Sequence, residues 1–112
     1  MNHYNINWQK RIEEIFFVWH GNTSELKKSI DELRSDIAEQ TSEEMATHVI
    51  TNMNSKIEYN TKKFSLAAFI ASVNKEEAIK AVKMLSDMED DWKLYAEMWA
   101  DSLNNYRSHK MQ

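Results

Sequence analysis

Residues 74–106 read NKEEAIKAVKMLSDMEDDWKLYAEMWADSLNNY. Within them Ile79, Val82, Leu85, Met88, Trp92, Tyr95, Trp99, Leu103 and Tyr106 recur every three or four residues. That is the period of one face of an α-helix. Asn74 stands where an N-cap belongs, and Glu77 follows three residues later, the spacing of a capping box. No glycine or proline interrupts the stretch. An unbroken helix of this length is about 45–50 Å long, at ~1.5 Å per residue. That exceeds the diameter of a compact domain made from 112 residues. Either the helix bends near Ser86–Asp91, or it projects and needs a partner to cover Trp92, Tyr95 and Trp99.

The rest of the chain reads the same way. A first helix is expected from about Ile6 to His20, with Trp8, Ile12, Ile15 and Trp19 on one stripe. Phe16, Phe17 and Val18 carry the apolar surface right round it, so this end belongs in a core or at an interface. Gly21 follows, where a left-handed residue commonly ends a helix. Asn22, Thr23 or Ser24 can cap a second helix, whose narrow seam is Leu26, Ile30, Leu33 and Ile37. Its Lys27–Asp31 and Lys28–Glu32 pairs add a few tenths of a kcal/mol at most.

Thr41-Ser42-Glu43-Glu44 gives a capping box for a third helix, with Thr41 as the N-cap. The stripe of that helix is Ala46, Val49, Ile50, Met53 and Ile57. Asn52, Asn54, Asn60 and Thr61 are poor helix-interior residues, so a break is expected near 59–63. Phe64 to Val73 is apolar nearly all round, and its alanines favour helix over strand. It is expected to be the most buried segment, forming the centre together with the first helix's aromatics.

Composition agrees with this pattern. One glycine, no proline and no cysteine leave little material for tight turns and none for disulfides or cysteine-bound metals. The expected fold is all-α, a compact bundle of four to six helices in a single domain, residues 1–112. The longest apolar run, residues 15–19, is far short of the roughly 20 residues that span a bilayer. Met1 to Asn5 carries no basic or apolar leader, so a cytoplasmic location is expected.

The same counts bear on chemistry. One glycine rules out phosphate loops and nucleophile elbows. Glu44 and His48 share a face, but a surface ion pair explains them better than a metal site. All-helical nucleotide pyrophosphohydrolases hold magnesium with paired Glu-x-x-Glu motifs. The nearest approaches here are Asp36-x-x-Glu39 and Asp87-x-x-Asp90. A small magnesium-dependent nucleotide hydrolase is therefore a third reading behind two others, and no catalytic residue, metal or cofactor is assigned. Nucleic acid is disfavoured as a partner, because acids outnumber bases and the formal net charge is -4. Residues 61–80 are locally basic through Lys62, Lys63, Lys75 and Lys80, which a solvated face explains. Five methionines fall on or beside the apolar stripes and read as core filling.

The most unusual local feature is Asp87-Met88-Glu89-Asp90-Asp91-Trp92, followed by Glu97 and Asp101. Acids in this density steer a basic protein partner toward them. Trp92, Tyr95 and Trp99 are residue types favoured as interface anchors. The leading expectation is a non-enzymatic protein that binds a basic partner through Asp87, Glu89, Asp90, Asp91, Trp92, Tyr95, Glu97, Trp99 and Asp101. The second is a homodimer made by the long C-terminal helix. In size, charge and helicity the chain resembles small acidic helical proteins that neutralise an enzyme by binding it, such as bacterial immunity proteins and phage-encoded inhibitors. That resemblance implies an inhibitor that acts by occupying its target.

Overall fold

A computed structural model describes the backbone of residues 6–21, 23–72 and 74–111, and the side chains of residues 6–20, 24–72 and 74–106. Four helices follow one another: α1 (Trp8–Gly21), α2 (Thr23–Gln40), α3 (Glu43–Ala71) and α4 (Lys75–Met111). No strand occurs among the described residues, and no described helix is long and apolar enough to cross a membrane. Each helix packs on its sequence neighbour, and α4 closes the ring against α1. The bundle is long, at 57 × 24 × 23 Å. Its radius of gyration is 16.2 Å, against about 13 Å for a rounder chain of this length.

Polar caps begin α1, α3 and α4. The Lys10 amide donates to Asn7 Oδ1 at 3.0 Å, at the head of α1. The Glu76 and Glu77 amides donate to Asn74 Oδ1 at 2.8 and 3.4 Å, as the sequence predicts for α4. At α3 the cap is Ser42 and not Thr41. Ser42 has extended backbone angles and accepts from the Met45 amide at 3.1 Å. Such a cap is worth about 1 kcal/mol. The Thr41 hydroxyl instead donates back to the Ile37 carbonyl at 2.6 Å and finishes α2. Gly21 is the last residue of α1, and no positive φ occurs among the described residues, so the expected left-handed ending is absent. Of the three residues offered as caps for α2, Asn22 lies outside the described residues, and the helix begins at Thr23.

The core draws on all four helices. Trp8, Ile12, Ile15 and Phe16 of α1 meet Ile30, Leu33 and Ile37 of α2, Val49, Ile50 and Met53 of α3, and Met88, Trp92, Trp99 and Leu103 of α4. Phe17 is 78 % exposed, so the apolar end of α1 is only partly enclosed.

Three expectations fail, for related reasons. Helix α3 does not break at 59–63. Asn60 is buried and Thr61 donates its hydroxyl to the Ile57 carbonyl at 2.8 Å, inside the helix. Trp19 Nε1 then donates to Thr61 Oγ1 at 2.7 Å and ties α1 to this turn. Packing outweighs the weak propensity of two residues.

Of the stretch from Phe64 to Val73, Val73 lies outside the described residues, and residues 64–72 are not the centre. Leu66 and Phe69 are 64 % and 72 % exposed. α1 ends at Gly21 and α2 starts at Thr23, level with the Thr61–Phe64 turn through Trp19. Beyond it α3 and α4 run on as a two-helix hairpin, with only each other for cover.

Helix α4 is unbroken through 86–91, yet Trp92 and Trp99 are buried. The part that projects is the other end of the helix. Ile79 and Val82 are exposed, and Ala81 is buried in their place. The reason is rotational. Ile79, Val82, Leu85 and Met88 advance by three each time, and nine residues at about 100° put Ile79 half a turn away from Met88.

Candidate functional site

The sequence points to α4 between Asp87 and Asp101, and helical phase divides those residues into three sets. Trp92 and Trp99 face inward. Trp92 is 1 % exposed, its ring lies 5.5 Å from Phe16 and 5.7 Å edge-on to Trp99, and its Nε1 donates to the Ile12 carbonyl at 3.0 Å. Trp99 is also in the core and stacks obliquely on Tyr95 at 5.5 Å. Neither tryptophan offers a surface to a partner, because α1 and α3 already cover this stretch.

Asp87, Asp90, Asp91, Glu97 and Asp101 are exposed on the solvent side of α4, together with Leu94 and Met98. Leu94, Tyr95, Glu97, Met98 and Asp101 line one shallow depression. Tyr95 is half-buried at the seam with α3. There Lys56 Nζ sits 4.6 Å over the Tyr95 ring and 3.6 Å from the Asp91 carboxylate. A cation held over a ring face and beside an acid stiffens this seam. The groove continues along α3 past Tyr59, Ser55, Asn52 and His48.

Glu89 is on a different side, facing α1. It pairs with Lys93 at 3.5 Å and helps to line a small cleft with Glu13, Phe16, Phe17 and His20. The cleft holds about 130 Å³, below the roughly 300 Å³ at which sites for drug-sized ligands begin. His20 lies edge-on to Phe16 at 4.4 Å. Burial lowers its pKa from the ordinary histidine value, and the Glu89 carboxylate opposes that shift.

A lowered histidine pKa means that the unfolded chain takes up the proton first on acidification. Folding therefore meets a penalty that is nil above the ordinary histidine range, develops as the pH falls through that range, and is complete below the lowered pKa. The effect is small, because the ring is largely exposed. In an NMR titration the His20 imidazole is expected to titrate below the ~6.5 of a free histidine, and Phe16→Ala is expected to move it back upward. A midpoint above 6.5 in the unmodified chain would mean that Glu89 governs the ring.

The other candidate positions do not assemble. Asp36 is taken by the Arg11 guanidinium, across the α1–α2 contact. Among the described residues no group of three or more histidines and acids is placed to hold a metal ion. The sequence reading missed Leu94 and Met98 as exposed apolar residues and, on α3, Tyr59, Leu66 and Ile70. Their signal was present: 59, 66 and 70, like 94 and 98, are helically spaced but lie off the main stripe.

Comparisons with known protein families, with curated proteins and with solved structures find no match.

Proposed function

We propose that the chain is a non-enzymatic protein of the inhibitor or immunity type, which neutralises a protein partner with a basic surface. The observation that carries this reading is the outer face of α4, where Asp87, Asp90, Glu97 and Asp101 surround exposed Leu94 and Met98. Acids in such an arrangement accelerate encounter with a basic protein, and the apolar centre then supplies residence time. Leu94, Met98 and the half-buried Tyr95 take over the anchoring role that the sequence assigns to the two tryptophans.

The test is a charge reversal at Asp87, Asp90, Glu97 and Asp101 to lysine. It leaves the Lys56–Asp91 and Lys93–Glu89 pairs in place. The unmodified chain is expected to capture a basic protein from its native host, with an association rate that falls steeply as salt rises. The reversed chain, checked for helicity, is expected to lose that protein. Equal capture by both chains overturns the reading.

A further inference from the structure

A groove lies between α3 and α4, lined by those two helices alone. On α3, His48, Asn52, Ser55 and Tyr59 follow one another at spacings of four, three and four, so they share one face. Tyr95, Met98 and Trp99 of α4 form the opposite wall. The groove holds about 530 Å³, inside the range of roughly 300–1,000 Å³ that small-molecule sites occupy.

No aspartate or glutamate is among its described lining residues, and Lys56 is the fixed cation there. The Lys56 side chain is only 17 % exposed. Its ammonium sits 4.6 Å over the Tyr95 ring and 5.7 Å over the Tyr59 ring, and it approaches the Asp91 carboxylate to 3.6 Å. That approach is longer than the ~2.7–2.9 Å of a charge-assisted hydrogen bond. An ammonium has three protons to donate. A pair this loose leaves them open to an acceptor arriving along the groove. The hydroxyls of Ser55, Tyr59 and Tyr95 also have no hydrogen-bond partner among the described residues.

We propose that this groove binds a small aromatic acid carrying a single negative charge, its carboxylate on Lys56 Nζ and its ring against Tyr59, Tyr95 and Met98. The sign of the charge follows from the lining. A cationic ligand meets Lys56 and is repelled, and a neutral one leaves the ammonium without an acceptor. The limit to one charge follows from the surroundings. Glu43 and Glu44 share the next depression with His48, and Glu97 and Asp101 share another with Tyr95 and Met98. A polyanion reaching beyond Lys56 meets these acids, whereas one carboxylate does not. The ring follows from the walls, since aromatic faces stack on one another and a thioether adapts to a ring edge. The inference does not rest on the partner reading. The two sites share Tyr95 and Met98, but they recognise opposite charges.

Titration of phenylacetate into the full chain, followed by backbone-amide NMR, tests the proposal. The expected result is a saturating shift of the signals of Lys56, Tyr59, Tyr95 and Met98, with a Kd on the order of 1 mM. Acetate lacks the ring and benzyl alcohol lacks the charge, and each is expected to bind at least tenfold more weakly. Phenyl phosphate, doubly charged near neutral pH, is also expected to be weaker than phenylacetate. Lys56→Met keeps the apolar stem and removes the charge. It is expected to weaken phenylacetate at least tenfold with unchanged helicity. Asp91→Asn removes the competing acid and is expected to tighten phenylacetate about threefold. A Lys56→Met chain that loses helicity leaves the decision to Asp91→Asn. Shifts that do not saturate, or that centre on other residues, overturn the proposal. So do benzyl alcohol binding as tightly as phenylacetate, phenyl phosphate binding more tightly, and an Asp91→Asn chain that binds phenylacetate no better.

Discussion

Truncating Trp92 to alanine is expected to lower the unfolding free energy by about 3–5 kcal/mol, the usual cost of emptying a large aromatic site. For a domain whose total stability lies near 5–15 kcal/mol, that leaves little. Three residues lose contact at once. Phe16 of α1 loses the ring 5.5 Å away, Trp99 loses its edge-on neighbour, and the Ile12 carbonyl loses the indole donor that joins α1 to α4. Trp92→Phe separates the two contributions. It keeps an aromatic ring in the site and removes the hydrogen bond, so about 1–2 kcal/mol is expected for that variant. Urea unfolding followed by far-ultraviolet circular dichroism measures both without relying on the fluorophore being changed. A cost below about 1 kcal/mol for the alanine variant would mean that α1 does not dock on α4 at this level.

Asn60→Leu is expected to act in the opposite direction, raising stability by about 1–3 kcal/mol. Asn60 is 2 % exposed in the middle of α3, and its Nδ2 has no hydrogen-bond partner among the described residues. A buried amide without a partner bears its full desolvation cost, and an apolar side chain of similar size removes that cost. Asn60→Asp is expected to be worse than the unmodified chain, since it places a charge where there was a dipole. The same unfolding experiment decides. If the leucine variant is less stable, the amide has a bound water that satisfies it.

The helices were legible in the sequence because periodicity is a local signal. Val49, Ile50 and Met53 of α3, and Ile30, Leu33 and Ile37 of α2, all sit in the core that their spacing predicts. The Asn74 cap was legible for the same reason. What the sequence could not give was how far each helix extends beside its neighbours. Phe64 to Val73 looks like a core segment when read alone. Beyond the half-buried Phe64 its described residues, up to Ser72, are mostly exposed because α1 and α2 end before reaching them, and that is a matter of tertiary alignment. The candidate site suffered the same way. The acids of α4 were recognisable by type, but Trp92 and Leu94 differ by only two positions, and two positions are about 200° of helix. Spacing identifies a stripe. It does not say which stripe other helices cover.

The connections between helices carry one last consequence. Only residue 22 separates α1 from α2, residues 41–42 separate α2 from α3, and residues 72–74 separate α3 from α4. With so little slack, each new helix can turn back only onto the one before it, and every interface but α1–α4 closes over a short stretch of chain. Assembly by successive local closures keeps contact order low. Helical bundles built this way reach the native state in microseconds to milliseconds. The exposed hairpin end therefore spends little time beside an unfinished core.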